Sequence, residues 1–281
     1  MTAGANVPKP KEIEEAALRF CKKQYGSQCL KVAKEIHASI SWRPSFHLRK
    51  GPVIIAVEVG EVLDPAIFKI AANDIVHFNR PVAACLACSL QSFQSDAARP
   101  KVKELRRIGV GVITVDNDGE AEFQLPCVPL AQHISEELLS DRVRELSAKL
   151  RIAFGDAHRT FLVNVGQGLQ EAGQIVEAVV DAMAAGAVRD GKLKAAVLND
   201  TAANRVDALW DALQHHRAAL GLARSFLKTY RNIASHPARS AKEAMKKISG
   251  CRDGFLQAIG LAKDLSAAMR VLGYRLRLHI A

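Results

Sequence analysis

No stretch of this 281-residue chain is both long and uncharged enough to span a bilayer. Its most apolar runs, Val53 to Val59 and Val82 to Leu90, have the length of β-strands. The first residues, Met1-Thr2-Ala3-Gly4-Ala5-Asn6, contain no basic segment leading into an apolar one, which gives the expectation of no signal peptide and a cytoplasmic protein. Cysteine is sparse: six residues, at 21, 29, 85, 88, 127 and 251, lack the dense spacing of a small secreted scaffold, so reduced thiols are expected. The Cys85-x-x-Cys88 pair has no second pair or His partner nearby and lies in a strand-like run, where its side chains would point to opposite faces. No metal site and no cofactor are expected. Glycine and proline are too few for a fibrous or disordered chain, and with 49% apolar residues the sequence reads as globular throughout.

What the chain has in excess is positive charge. A formal net charge of +10 and a pI near 9.4 favour a polyanionic partner, nucleic acid first, then an acidic protein or a membrane surface.

The two halves follow different patterns. From Lys9 to about Cys127 helical and strand signals alternate. Helices are expected over Glu12 to Tyr25 and Cys29 to His37. Strands Ser45 to Arg49 and Val53 to Val59 follow, joined by the tight turn Lys50-Gly51-Pro52. Asp64-Pro65 opens a helix with Ile67, Ile70, Ala71, Ile75 and Phe78 at helical spacing. Then come strand Val82 to Leu90, helix Asp96 to Ile108, and strand Val110 to Val115, turning through Asp116-Asn117-Asp118-Gly119 into Glu120 to Leu125. This gives an α/β domain over 1–130 with a mixed sheet.

Strand signals then nearly vanish. A linker helix is expected in the segment 131–154, its helical pattern running from Ser135 to Phe154, and an all-α bundle over 155–281. Apolar residues from Phe161 to Met183 recur at three and four as one long helix. Val206 to Tyr230 mark a second, running on to His236-Pro237, and Ser240 to Leu272 a third, with Gly250 to Gly254 as a candidate break. His215-His216 reads as part of a polar helix face. At the end Tyr274, Leu276, Leu278 and Ile280 alternate with Arg275, Arg277 and His279: a strand docking on a partner or on the chain itself, or a basic tail on nucleic acid.

Arg231-Asn232-Ile233-Ala234-Ser235-His236, followed by Pro237, gathers a permanent cation, an amide and an imidazole on one and a half turns of helix. Asn232 and His236 are four apart and share a face, and Arg231 has the reach to join them. Pro237 disfavours helical geometry at His236, which puts the imidazole at a helix C-terminus, where the dipole favours its protonated form. These groups can clamp a phosphate and move a proton. A helical domain whose penultimate long helix ends in Arg-Asn-x-x-x-His resembles the HEPN superfamily of metal-independent ribonucleases. The resemblance covers about Gly155 to Gly273. It implies that Arg231, Asn232 and His236 are catalytic, that two copies of the motif meet across a homodimer to complete one site, and that RNA is cut to a 2′,3′-cyclic phosphate and a 5′-hydroxyl. Tyr230 and Arg239 are neighbouring candidates for nucleic-acid binding, and Ser235 for substrate contact.

In the first half, Arg43-Pro44 opens one strand and Ala56-Val57-Glu58 closes the next, in an order of helix, strand hairpin, helix and strand that is similar to the restriction-endonuclease-like, or PD-(D/E)XK, fold. An active member would carry Asp where Ser45 stands and Lys where Gly60 stands; Glu58 alone matches. The resemblance therefore implies a degenerate nuclease domain, with Glu61 and Lys69 as the neighbouring side chains that could substitute. On the hairpin, His47, Arg49 and Lys50 are candidates for nucleic-acid binding, or else form a solvated basic edge. Together these expectations describe a defence or stress endoribonuclease whose first domain senses or recruits and whose second cuts, with a regulatory partner protein among its candidate partners. The competing classes are a non-enzymatic scaffold that binds nucleic acid or a partner, and a metal-dependent DNase built on the first half.

Overall fold

A computed structural model describes residues 7–76, 78, 80–235 and 241–275. The chain divides into two compact units, Met1–Glu136 with Ala238–Ser249, and Glu137–Pro237 with Gly250–Ala281. The boundary differs from the expected 130/155 division: residues 137–154 belong to the helical unit and do not stand apart as a linker.

The first unit is built on a six-stranded mixed sheet in sequential order: β1 (Lys31–Val32), β2 (Phe46–Lys50), β3 (Val53–Val59), β4 (Val82–Ser89), β5 (Gly111–Val115) and β6 (Ala121–Leu125). β1, β2 and β3 run antiparallel in turn, β3, β4 and β5 are parallel, and β6 is antiparallel to β5. Gly51 supplies the positive φ, +57°, at the first position of the two-residue β2–β3 loop, and Pro52 fits the negative φ of the second, the pattern of a type II′ turn. At the β5–β6 hairpin, Asp116 Oδ1 accepts from the backbone N–H groups of Asp118 and Glu120, and Gly119 takes φ +79°.

β4 is buried along its whole length, as a central parallel strand covered on both faces must be. Helix α1 (Pro10–Tyr25) covers one face, packing Ile13, Ala16, Ala17 and Cys21 on Phe46, Leu48, Val57 and Cys85. Helices α2 (Ala66–Val76) and α4 (Ala98–Ile108) cover the other, with Phe68, Ala71, Ile75 and Leu105 on Ile54, Ala56 and Cys88. Cys85 and Cys88 thus lie on opposite faces, three residues apart in a period-two strand. A short helix α3 (Leu90–Gln94), capped by Ser89, links β4 to α4.

Two expectations fail in this unit. Residues 29–37 form no helix: the strand β1 lies between Cys29 and Ala33, both at positive φ, and Lys31 and Val32 pair with β2. The backbone there is satisfied by the sheet edge instead of by helical turns. On α2, Ile70 is 64% exposed and Phe68 takes the core position.

The second unit is helical. Its expected single helix over Ser135 to Phe154 is two: α5 (Glu136–Val143) and α6 (Ala148–Val163), with Ser147 capping the second. Asn164 then breaks the chain again, its Oδ1 accepting from the N–H groups of Gly166 and Gln167 to start α7 (Val165–Arg189). So Phe161 and Leu162 end α6 and do not begin the long helix. The helix expected from Val206 is likewise divided into α8 (Ala202–Ala212) and α9 (Arg217–Ser235), with His215 and His216 in the 3₁₀ turn between them. α10 (Ala241–Val271), whose residues from Gly250 on belong to this unit, is continuous through Gly250 and Gly254.

α7 organises this unit. Leu169, Ala172, Ile175, Val176, Val179, Val180 and Met183 form its buried stripe, and three glycines admit close neighbours: the backbone of Phe161 at one and aromatic rings at two. A Cβ at Gly168 would lie 2.4 Å from Phe161, at Gly173 2.1 Å from the Tyr230 ring, and at Gly186 2.5 Å from the Tyr274 ring. The missing side chains make room for these neighbours, which offsets the roughly 1 kcal/mol that each helical glycine costs relative to alanine.

Candidate functional site

Arg231 and Asn232 lie on α9 (Arg217–Ser235). His236 and Arg239 lie outside the described residues, as do the side chains of residues 231–235. What positions the segment is Tyr230. Its ring is 1% exposed, stacks on Phe226 with centroids 5.1 Å apart and planes 8° from parallel, and fits against Gly173. Its hydroxyl donates to Glu177 Oε1 at 2.7 Å. The last described side chain before Arg231 is therefore locked to α7 by packing and by a charge-assisted hydrogen bond. A ring so buried is not presented to a nucleic acid. Glu177 was missed in the sequence, where its signal was one carboxylate inside the apolar run Ile175 to Val180. Of the alternating terminal segment, Tyr274 and Arg275 are described, and residues 276–281 lie outside the description.

In the first unit the structure brings together Ser45, immediately before β2, and Glu58 on β3. Ser45 Oγ accepts from the backbone N–H of Val59 at 3.0 Å, and Glu58 Oε2 accepts from Trp42 Nε1 at 2.9 Å. Burial raises the Glu58 carboxyl above its usual range, and the hydrogen bonds from Trp42 and from the backbone of Ser45 only partly offset this. Trp42 is itself 3% exposed, edge-on to Phe68 with centroids 5.3 Å apart. Sequence reasoning overlooked this indole, although an indole N–H next to Arg43-Pro44 must find an acceptor when buried.

Gly60 donates its N–H to Ala87 O at 3.0 Å, and a Cβ there would sit 2.9 Å from the Val62 carbonyl oxygen. A lysine at this position would require the backbone to shift. Nor does Lys69 turn to Glu58: it pairs with Glu104 at 3.0 Å, where Arg107 also binds and the carboxyl is drawn down to about 2 by its two cationic partners. Glu61 is exposed, and its backbone carbonyl accepts from Ser92 Oγ. Among the described residues no group of three or more His, Cys, Asp and Glu side chains is arranged to hold a metal ion.

The hairpin residues do not form one surface. His47 is 5% exposed, and burial, together with the charges of Lys31 and Arg49, lowers its pKa, so the ring is held neutral inside the unit. Lys50 falls on the α1 side of β2, its ammonium 5.0 Å from the centroid of Tyr25. Arg49 is one residue away and half-buried on the opposite face. The period of two separates what adjacency in sequence had grouped.

No family model matches the chain, and no curated protein or solved structure matches it either. No helix among the described residues is long and apolar enough to cross a membrane.

Proposed function

We propose that the chain is an endoribonuclease of HEPN type that acts without a metal, through Arg231, Asn232 and His236, as a homodimer. The observation that carries the reading is the setting of the motif: Arg231 and Asn232 lie on α9 (Arg217–Ser235) of an all-helical unit, directly after the buried Tyr230. The net charge of +10 supports an RNA substrate. In this reading the His236 imidazole transfers a proton to or from the reacting ribose and leaving oxygens. Arg231 holds two phosphate oxygens as negative charge builds on phosphorus, and Asn232 orients the phosphate. One motif supplies one proton-transfer group, and cleavage needs a base for the 2′-hydroxyl and an acid for the 5′-oxygen, so the second imidazole comes from a second copy.

For the first unit we infer a restriction-endonuclease-like core without nuclease chemistry. The order α1, antiparallel β2–β3, α2 and parallel β4 supports it. The engagement of Glu58 with Trp42, and the lack of room at Gly60, argue for a recruiting or sensing role.

The test is cleavage of RNA by the purified chain in EDTA. Wild type yields 2′,3′-cyclic phosphate ends, and Arg231→Ala and His236→Ala each lose roughly a hundredfold or more in rate. RNA that is bound and left uncut in every condition assigns the chain to the scaffold class, and magnesium-dependent DNA cleavage lost in Glu58→Ala assigns it to the DNase class.

A further inference from the structure

A cleft of about 360 Å³ opens in the helical unit beside α7. It is lined by the small residues Ala178, Ala182, Ala185 and Gly186, by Leu198, and by the charged residues Asp181, Arg189, Arg205 and Arg275. The volume is within the range of small-molecule sites. Three guanidinium groups face one carboxylate, an excess of two positive charges by count. Asp181 is already paired with Arg205, and neither Arg189 nor Arg275 has a carboxylate partner among the described residues.

The cationic groups are held in place. Arg205 is 17% exposed, bonds Asp181 and donates to the Leu198 carbonyl at 3.1 Å, and its Nε is buried with no partner among the described residues. Arg275 follows Tyr274, whose ring is 6% exposed and packs on Gly186, with the Lys192 ammonium 5.7 Å from its centroid and 3.5 Å from its hydroxyl. The chain is thereby pinned at the cleft, and Arg275 is delivered to its lining. Guanidinium forks match phosphate oxygens in pairs, and a lining of alanine and glycine lets a flat base or sugar approach the helix closely.

We propose that this cleft binds the phosphate of a nucleotide, either free or as a unit of an RNA strand, with Arg189 and Arg275 as the principal contacts and Arg205 as the fixed donor. The proposal does not depend on the ribonuclease reading, because none of the cleft residues belongs to the segment 231–236. It also gives part of the net positive charge a defined location.

Two probes separate the sources: ATP by calorimetry, and a fluorescein-labelled, fully 2′-O-methylated eight-nucleotide RNA, which cannot be cleaved, by anisotropy. Wild type binds at least one of them, and inorganic phosphate competes. The double variant Arg189→Ala/Arg275→Ala, exposed at both positions, weakens binding roughly tenfold or more. For the RNA it also reduces the slope of log affinity against log salt by about 1.4, the value for two contacts to a single strand. Ala185→Glu, which places a carboxylate on the exposed wall, weakens binding without removing any arginine. RNA cleavage in EDTA is measured separately on the same cleft variants, so loss of cleavage and loss of cleft binding are told apart. Binding of ATP assigns the cleft to a free nucleotide, and binding of the RNA alone assigns it to the strand. If neither probe binds, or if both cleft variants bind as wild type does, the proposal is overturned.

Discussion

Glu58 shows how one residue takes its role from its neighbours. In the sequence it is the single carboxylate left of a nuclease set; in the fold it accepts the hydrogen bond of a buried indole. Because burial raises its pKa, the protonated form is the one the fold favours. Such a group contributes its full stability below the unfolded carboxyl pKa and loses it as pH rises through the folded value. Glu58→Gln keeps an acceptor for Trp42 and removes the charge. Thermal melts should therefore show wild type and Glu58→Gln alike near pH ~4 and the variant the more stable near pH ~7. Glu58→Leu leaves the indole N–H unpaired and should cost about 1–3 kcal/mol at either pH. A Glu58→Gln chain that melts below wild type at neutral pH would reject this account. The pairing was not legible in sequence, since sixteen residues separate the partners and only the β2–β3 register brings them together.

Among the elements, α7 was legible as a helix and illegible as a hub. Its apolar residues at spacings of three and four specify one face. Its start was misplaced because the apolar pattern runs from Phe161 without interruption, while Asn164 caps a new helix within it. The glycines at 168, 173 and 186 carry no periodic signal, and their purpose emerges only when Phe161, Tyr230 and Tyr274 are seen against them. Gly173→Ala should destabilise the chain by about 1–3 kcal/mol through overpacking against the Tyr230 ring. In a Tyr230→Ala background the same change should cost much less. Denaturant unfolding of the four combinations measures the coupling, and strict additivity would show that the ring and the glycine do not meet. The strands illustrate the opposite case. Val53–Val59 was read to the residue, and β4 to within one, because parallel strands covered on both faces are continuous apolar runs. β1, two exposed residues paired at a sheet edge, has no pattern to read.

At the scale of the whole molecule the proposed activity rests on a second copy. With the composite site, specific activity in RNA cleavage should rise with protein concentration through the dimerisation range. Titrating His236→Ala into a fixed amount of wild type should lower the rate as mixed dimers form; a rate indifferent to the inactive chain would mean that one motif suffices. The sequence by itself determined the division into an α/β half and an all-α half, the basic character of the chain, and the helical setting of Arg231-Asn232. Each follows from local spacing, composition and backbone restriction, which act within a few residues. Tertiary structure alone decided that Tyr230 and His47 are interior groups, that Lys50 and Arg49 face apart, that Glu58 serves Trp42, and that Arg189, Arg205 and Arg275 share one cleft. Those outcomes depend on which side chains meet across elements far apart in the chain, and burial and pairing between such elements leave no periodic trace in the sequence.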